Sequence, residues 1–411
     1  MPFCHGLPAF FLAASSGIDN VPLAMLAVFG TAKLLAELFE RMRMPGLVGE
    51  ILAGVLLGPS LLGWVRPNEM LTSLAELGVL FLLFRVGLGV KSSELIRVGK
   101  TATLVAFLGV VAPFFLGWGI MRLWGAPGIE SIFVGAAMVA TSVGITAQVL
   151  ASKGLINHAA SKIILAAAVI DDVLGLIVLA VVSSLARGSI NVVELIFTAV
   201  GAIGFTIVVA KWGTRAMGTM VPRLEERLKA GEVQFNLAII ILFGLALLAM
   251  YAGVAAIIGA FLAGMALSDS LQPRVHDLAH GVSELLVPFF LVGIGLHLDL
   301  SVFSQTNTLL LSIVILVAAV LSKLIACGLG ALSMGRADAF RVGAGMAPRG
   351  EVGMVVAQIG LNLGVIPPSV YGVVVFMAVV TTVVAPPLLS LSFRNVQQAS
   401  PPGAVSNRLA P

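Results

Sequence analysis

The 411-residue sequence predicts an all-α polytopic membrane protein of about thirteen transmembrane helices, built as two inverted six-helix repeats. Three observations carry this reading. Apolar residues make up 59% of the chain and charged residues 11%, about half the charge of a soluble domain, and the mean hydropathy is +1.08. Apolar stretches recur along most of the chain, many of them long enough to cross a bilayer as a helix. Short sequence patterns also return in the same order, seven spans apart. Lipid offers the backbone no hydrogen-bond partner, so only helices and closed barrels cross it. The long apolar runs exclude barrel strands, which alternate in polarity.

The spans centre on residues 21–42, 45–63, 71–90, 101–124, 129–152, 160–186, 190–210, 233–251, 253–268, 280–298, 307–333, 340–363 and 367–393. "LPAFFLAASS" near the start resembles a short signal core but lacks a basic segment before it, so cleavage is not expected. The tail, 396–411, is rich in Pro, Ser and Ala and is expected to be disordered. Cys4 and Cys327 are the two cysteines. Cys327 lies in an apolar run, so no disulfide framework is indicated.

Lys and Arg set the expected orientation. With the N-terminus outside, seventeen of the 24 fall on inner loops and the tail, and only Arg66, Arg122 and Arg187 on the other side. The positive-inside rule then places the C-terminus in the cytoplasm. The same bias explains a pI near 9.3 without invoking nucleic acid.

The repeat is read from three comparisons. "VGEILAGVLLGPSL" (48–61) matches "IGAFLAGMALSDSL" (258–271) at seven of fourteen positions. "FRVGLGV" (84–90) matches "FLVGIGL" (290–296), and "VGAAMVATSVGITAQ" (134–148) matches "VGAGMAPRGEVGMVVAQ" (342–358). Seven is odd, so matched helices run in opposite directions. This is the architecture of secondary transporters, whose sites sit near the midplane on interrupted helices. Thr141, Ser142 and Gly144 in span five, and Pro348, Gly350 and Gly353 in span twelve, mark such interruptions.

Ionisable residues inside the bilayer are functional candidates. "AVIDDVLGLIVLA" (168–180) carries two adjacent aspartates. Neighbours on a helix point about 100° apart, so one of Asp171 and Asp172 faces an ion path and the other a partner. A buried carboxylate that takes either a proton or a small cation has the minimal chemistry of an exchanger. Lys323 is the candidate salt-bridge partner, with Asp171 as its acid. Thr141 and Ser142 offer oxygen ligands to a hard cation. Glu351 is a third cation ligand or the partner of Arg349. Arg85 and Glu50 are placed nearer a cavity or interface. Lys33 and Glu37, four apart, are expected to pair. His276 and His280 are read as a solvated cytoplasmic loop.

At these residues the chain resembles the monovalent cation:proton antiporter-2 family, NapA-type sodium/proton antiporters in particular. The carrying stretches are "PGLVGEILAGVLLGP" (45–59), "VATSVGITAQVL" (139–150), "AAVIDDVLGLIVLA" (167–180), "LSKL" (321–324) and "MAPRGEVG" (346–353). The resemblance implies a homodimer whose core moves like an elevator against a dimerisation domain. It assigns the cation to Asp172 and the lysine pair to Asp171 and Lys323. Carried onto this chain, residues 1–99 and 230–304 form the dimerisation and scaffold part. Residues 100–187 and 305–395 form the ion-transport core, and 188–229 a linker helix and loop. Gly89, Arg85 and Gln148 depart from the family pattern.

The expected activity is electrogenic exchange of Na⁺, with Li⁺ or K⁺ as variants, for H⁺ across a bacterial inner membrane. No cofactor and no enzymatic activity are expected. Sodium-coupled symport is the competing transporter reading, and it would need a larger polar pocket. Intramembrane aspartyl proteolysis needs two carboxylates facing one water, which neighbours on one helix do not provide. A channel has no need of a titrating pair at its midplane.

Overall fold

The computed structural model describes residues 21–42, 44–91, 97–186, 192–227, 232–300, 303 and 305–394. The signal-like start, Arg187 and the 396–411 tail lie outside these residues. Fifteen α-helices follow one another among the described residues. They are α1 (Val21–Arg41), α2 (Gly46–Leu57), α3 (Glu69–Leu88), α4 (Gly99–Leu123), α5 (Gly128–Ala137), α6 (Val143–Ser152), α7 (Ala159–Ala186) and α8 (Val192–Arg227). The second run is α9 (Val233–Tyr251), α10 (Ala256–Leu267), α11 (Pro273–Leu296), α12 (Thr306–Gly330), α13 (Arg336–Gly345), α14 (Glu351–Asn362) and α15 (Pro368–Ser392). Eight are long and apolar enough to cross a membrane: α1, α3, α4, α7, α9, α11, α12 and α15. The apolar helices α2, α5, α6, α10 and α14 are shorter.

Two expected spans are each broken into two helices. Span five is α5 and α6, joined by the non-helical link 138–142. Span twelve is α13 and α14, joined by 346–350. In the second link Pro348 has no N–H and pushes Ala347 away from helical angles. Span seven was placed at 190–210, yet α8 continues to Arg227. At about 54 Å it outruns the hydrocarbon. The apolar run stops near 210, while the backbone stays helical through the charged turns that follow.

Backbones approach closely at two crossings. A Cβ on Gly54 of α2 would fall on the Val292 carbonyl of α11, and one on Gly295 would fall on the Ile51 carbonyl. Likewise a Cβ on Gly264 of α10 would fall on the Phe84 carbonyl of α3, and one on Gly87 on the Phe261 carbonyl. Small residues let helices meet where no side chain fits between them. The short helices α2 and α10 thus lie on the long helices α11 and α3. A second group packs α12 on α4, α13 and α15, and α14 on α5 and α15. Its apolar core includes Met121, Phe133, Met138, Ile315, Val374 and Met377. The groups meet where α3 touches α6 and α15 touches α2.

One expected pairing and one expected loop are corrected. Lys33 bonds Glu50 of α2 at 2.9 Å, while Glu37 pairs with Arg41 at 2.8 Å. Buried Glu50 (6% exposed) holds the lysine because a desolvated carboxylate needs a counter-charge more than an exposed one. His276 and His280 lie in the first turns of α11, not in a loop. His280 Nδ1 sits 2.7 Å from Arg85 Nη1, and Glu284 3.3 Å from the same atom.

Candidate functional site

The two broken spans cross at their links. The Ser142 N–H donates to the Pro348 carbonyl at 2.9 Å, and the Thr146 hydroxyl to the Gly345 carbonyl at 2.6 Å. A Cβ at Gly350 would lie 2.5 Å from Ser142 Oγ. Gly350 has a negative φ (−147°), so what it supplies is space, not a left-handed backbone. The Arg349 N–H donates to the Thr381 hydroxyl at 3.0 Å. Each link is therefore held by groups that the missing helical turns leave free.

The aspartates of α7 lie beside this crossing and diverge. Asp171 is fully buried and faces α12. Its Oδ1 accepts from Lys323 Nζ at 2.7 Å, and its Oδ2 accepts from the Thr141 N–H at 3.1 Å. Lys323 is fully buried too, and also donates to Thr141 Oγ1 at 2.7 Å. A Cβ at Gly109 of α4 would lie 3.2 Å from Lys323 Nζ, so that helix closes over the ammonium.

Asp172, 5% exposed, lines a different space. Its cavity of about 10 Å³ is otherwise walled by Val143, Leu165 and Val169 from one helix group and by Leu83, Ile257, Ile258 and Phe261 from the other. That is room for roughly one water-sized body. Asp172 thus stands at the seam between the two groups, and Asp171 stands inside one of them.

The predicted residues converge, with some differences of role. Thr141 was expected to offer oxygen to a cation, but here its hydroxyl accepts from Lys323 and its amide caps Asp171. The Ser142 Oγ lies under Gly350, at the crossing. Arg349 is fully buried, and its Nη2 donates to the Ala319 carbonyl at 3.0 Å. Glu351 opens α14, and its side chain lies outside the described residues. The apolar cavity walls went unread in the sequence, because nothing in a Leu or Ile marks it as facing a carboxylate. Thr381 left a legible signal, a paired Thr381–Thr382 in an apolar span, that was not used.

Comparison with known proteins places the chain among relatives. The family described as "Sodium/hydrogen exchanger, transmembrane" matches residues 24–394. The high-affinity Na⁺/H⁺ antiporter NhaS3 of Synechocystis sp. is 33% identical over 94% of this chain and 92% of its own length. The Na⁺/H⁺-K⁺ antiporter GerN of Bacillus cereus is 32% identical over 88% and 94%. A Na⁺/H⁺ antiporter of Enterococcus hirae is 32% identical over 88% and 95%. Among solved structures, the sodium proton antiporter MjNhaP1 of Methanocaldococcus jannaschii superposes with a TM-score of 0.69 over 95% of this chain and 100% of its own. At 18% identity that likeness speaks to fold alone.

Proposed function

The chain belongs to the sodium/hydrogen exchanger family, and from that premise we propose that it is a secondary antiporter exchanging Na⁺ for H⁺ across a membrane. One observation carries the mechanism: adjacent aspartates that diverge, one onto the cavity at the seam and one onto a buried lysine. Asp172 alternately holds the cation and a proton. Asp171, held by Lys323 and the Thr141 amide, is the second charged element. Cation binding at Asp172 disturbs the Asp171–Lys323 pair and lets Lys323 release a proton, and proton binding restores the pair. Lysine suits this role because a buried ammonium gives up its proton, whereas a guanidinium keeps it. Two protons then move against one cation, and the exchange carries net charge. The membrane potential, worth about 2.3 kcal/mol per charge per 100 mV, helps drive the cation out.

In this reading residues 100–187 and 305–395 form a core that moves as an elevator against residues 1–99 and 230–304, and two copies join through the latter. The basic loops face the cytoplasm of a bacterial inner membrane. Ser142, Thr141 and Glu351 supply oxygen to the cation in states where the cavity widens. Li⁺ and K⁺ are variants of the cargo, and GerN, described as a Na⁺/H⁺-K⁺ antiporter, motivates testing K⁺. Symport of an organic solute has no support among the relatives, which are described as Na⁺/H⁺ antiporters.

The test is reconstitution in acid-loaded proteoliposomes with a pH-sensitive dye, adding Na⁺, Li⁺ or K⁺ in turn. Wild type should show cation-driven dye recovery, and Asp172→Asn should show none while eluting as a folded protein. Normal recovery in Asp172→Asn rejects the assignment.

A further inference from the structure

Asp171 has a second cation within electrostatic reach. Arg349 is fully buried, yet its Nε and Nη1 find no acceptor among the described residues. Buried donors are nearly always satisfied, so two left over on one side chain call for an explanation. Among the described residues the one side-chain bond of Arg349, from Nη2, goes to the Ala319 carbonyl. Ala319 lies one turn before Lys323 on α12, and a helical side chain leans over the turn that precedes it. Guanidinium and ammonium therefore share one turn of helix, and Asp171 interacts with both.

Counting charges through the exchange gives this geometry a purpose, and the count rests on the electrogenic reading above. With protons loaded, Asp172 is neutral, Asp171 is negative, and Lys323 and Arg349 are positive. The ammonium holds Asp171. With the cation loaded, Asp172 and the cation cancel, and Lys323 has released its proton. Asp171 is then a buried anion beside a neutral amine, an arrangement that is strongly unfavourable without another counter-charge. Arg349 is that counter-charge, because a guanidinium does not deprotonate in proteins. We propose that Asp171 changes partner during the cycle, passing from Lys323 to the Nε and Nη1 of Arg349 as Lys323 gives up its proton. Two protons leave, one from Asp172 and one from Lys323, as one cation binds, and no other group changes charge. Arg349 is thus a positioning residue: it fixes stoichiometry without touching the cation.

The test reads charge moved per Na⁺, from currents on a solid-supported membrane alongside radioactive sodium flux, with the full-length protein. Wild type should move one net charge per Na⁺. In Arg349→Gln, Lys323 must stay protonated whenever Asp171 is charged. Exchange should persist, slower, with charge per Na⁺ falling at least fivefold. Arg349→Lys should recover part of that charge. A purely structural role would lower flux and current together and leave their ratio unmoved, and an unmoved ratio overturns the proposal. Should Arg349→Gln not fold, infrared difference spectra of wild type labelled with ¹⁵N-arginine decide. A label-sensitive guanidinium band that shifts on Na⁺ addition is expected, and a flat spectrum in that region overturns the partner exchange. A wild type that moves no charge withdraws the electrogenic reading itself, whereas a wild-type current with an unmoved Arg349→Gln ratio removes the partner exchange alone.

Discussion

Cutting the Asp171–Lys323 pair on one side should be far worse than removing both partners. Both side chains are fully buried, 2.7 Å apart. In Lys323→Met, Asp171 keeps the Thr141 amide at 3.1 Å and loses the ammonium. In Asp171→Asn, the ammonium keeps the Thr141 hydroxyl at 2.7 Å and loses its carboxylate. Breaking a buried pair costs about 3–5 kcal/mol where one charge is left stranded, as the ammonium is in Asp171→Asn; Lys323→Met should cost less, because Arg349 remains as a counter-charge for Asp171, and replacing both partners with neutral groups of similar volume is close to neutral. The double variant Asp171→Asn/Lys323→Met should therefore recover most of the loss of either single variant. The coupling in the cycle should reach about 3 kcal/mol, at the top of the range for contacting residues. Thermal unfolding in detergent, followed by the fluorescence of the four tryptophans, reads all four proteins from pH 5 to 8. Single variants as stable as wild type, or a double variant no better than the worse single, would refute the reasoning.

Other outcomes follow from contacts and burial. Gly350→Ala puts a Cβ 2.5 Å from Ser142 Oγ and 2.7 Å from its Cβ. It should destabilise by about 1–3 kcal/mol, the usual range for overpacking, and Ser142→Gly, which removes both clashing atoms, should restore melting temperature in the double variant. Gly264→Ala drives a Cβ onto the Phe84 carbonyl, while Gly281 has nothing within 4 Å. The first change should abolish the folded monodisperse peak in size-exclusion chromatography, and Gly281→Ala should leave it in place. His158, in the turn before α7, packs its ring on Phe393 at 5.3 Å, near the Arg341–Asp338 pair. Burial pushes its pKa below the ordinary histidine value of 6.5, with Asp338 opposing and Arg341 assisting. The unfolded chain therefore binds the proton more readily. The His158 contribution is fully present above about pH 6.5 and is lost as pH falls through that value toward the lower folded one. His158→Gln should flatten this acid limb of the melting-temperature profile, and an unchanged limb would exclude His158 as its source.

Much of the fold was legible in the sequence, for an identifiable reason. In lipid the backbone must satisfy itself, so apolar length alone marks a helix, and a proline or glycine inside one marks a break. The breaks at 138–142 and 346–350 fell where Thr141–Ser142 and Pro348–Gly350 placed them, while Gly144 and Gly353, read as part of the same interruptions, lie just inside α6 and α14. The 100° between neighbouring helical residues was enough to say that Asp171 and Asp172 part ways. Pairing was less legible wherever a partner on the same helix competed with one across a crossing. Lys33 has Glu37 one turn away, yet bonds Glu50, because burial raises the value of a counter-charge and sequence spacing does not record burial.

What the sequence determined by itself is therefore the class of molecule, the identity of the charged residues in its apolar spans and the two places where helices open. These follow from rules of one dimension: hydropathy, helical period and the missing donor of proline. Only the tertiary structure decided that Thr141 serves Lys323 and Asp171. It also decided that seven apolar residues leave Asp172 a space the size of one water, and that Arg349 reaches the carbonyl one turn before Lys323. Those facts depend on where helices distant in sequence cross. The crossings are set by close backbone approach at glycines such as Gly54, Gly87, Gly264 and Gly295, a property of pairs of surfaces that no single segment carries.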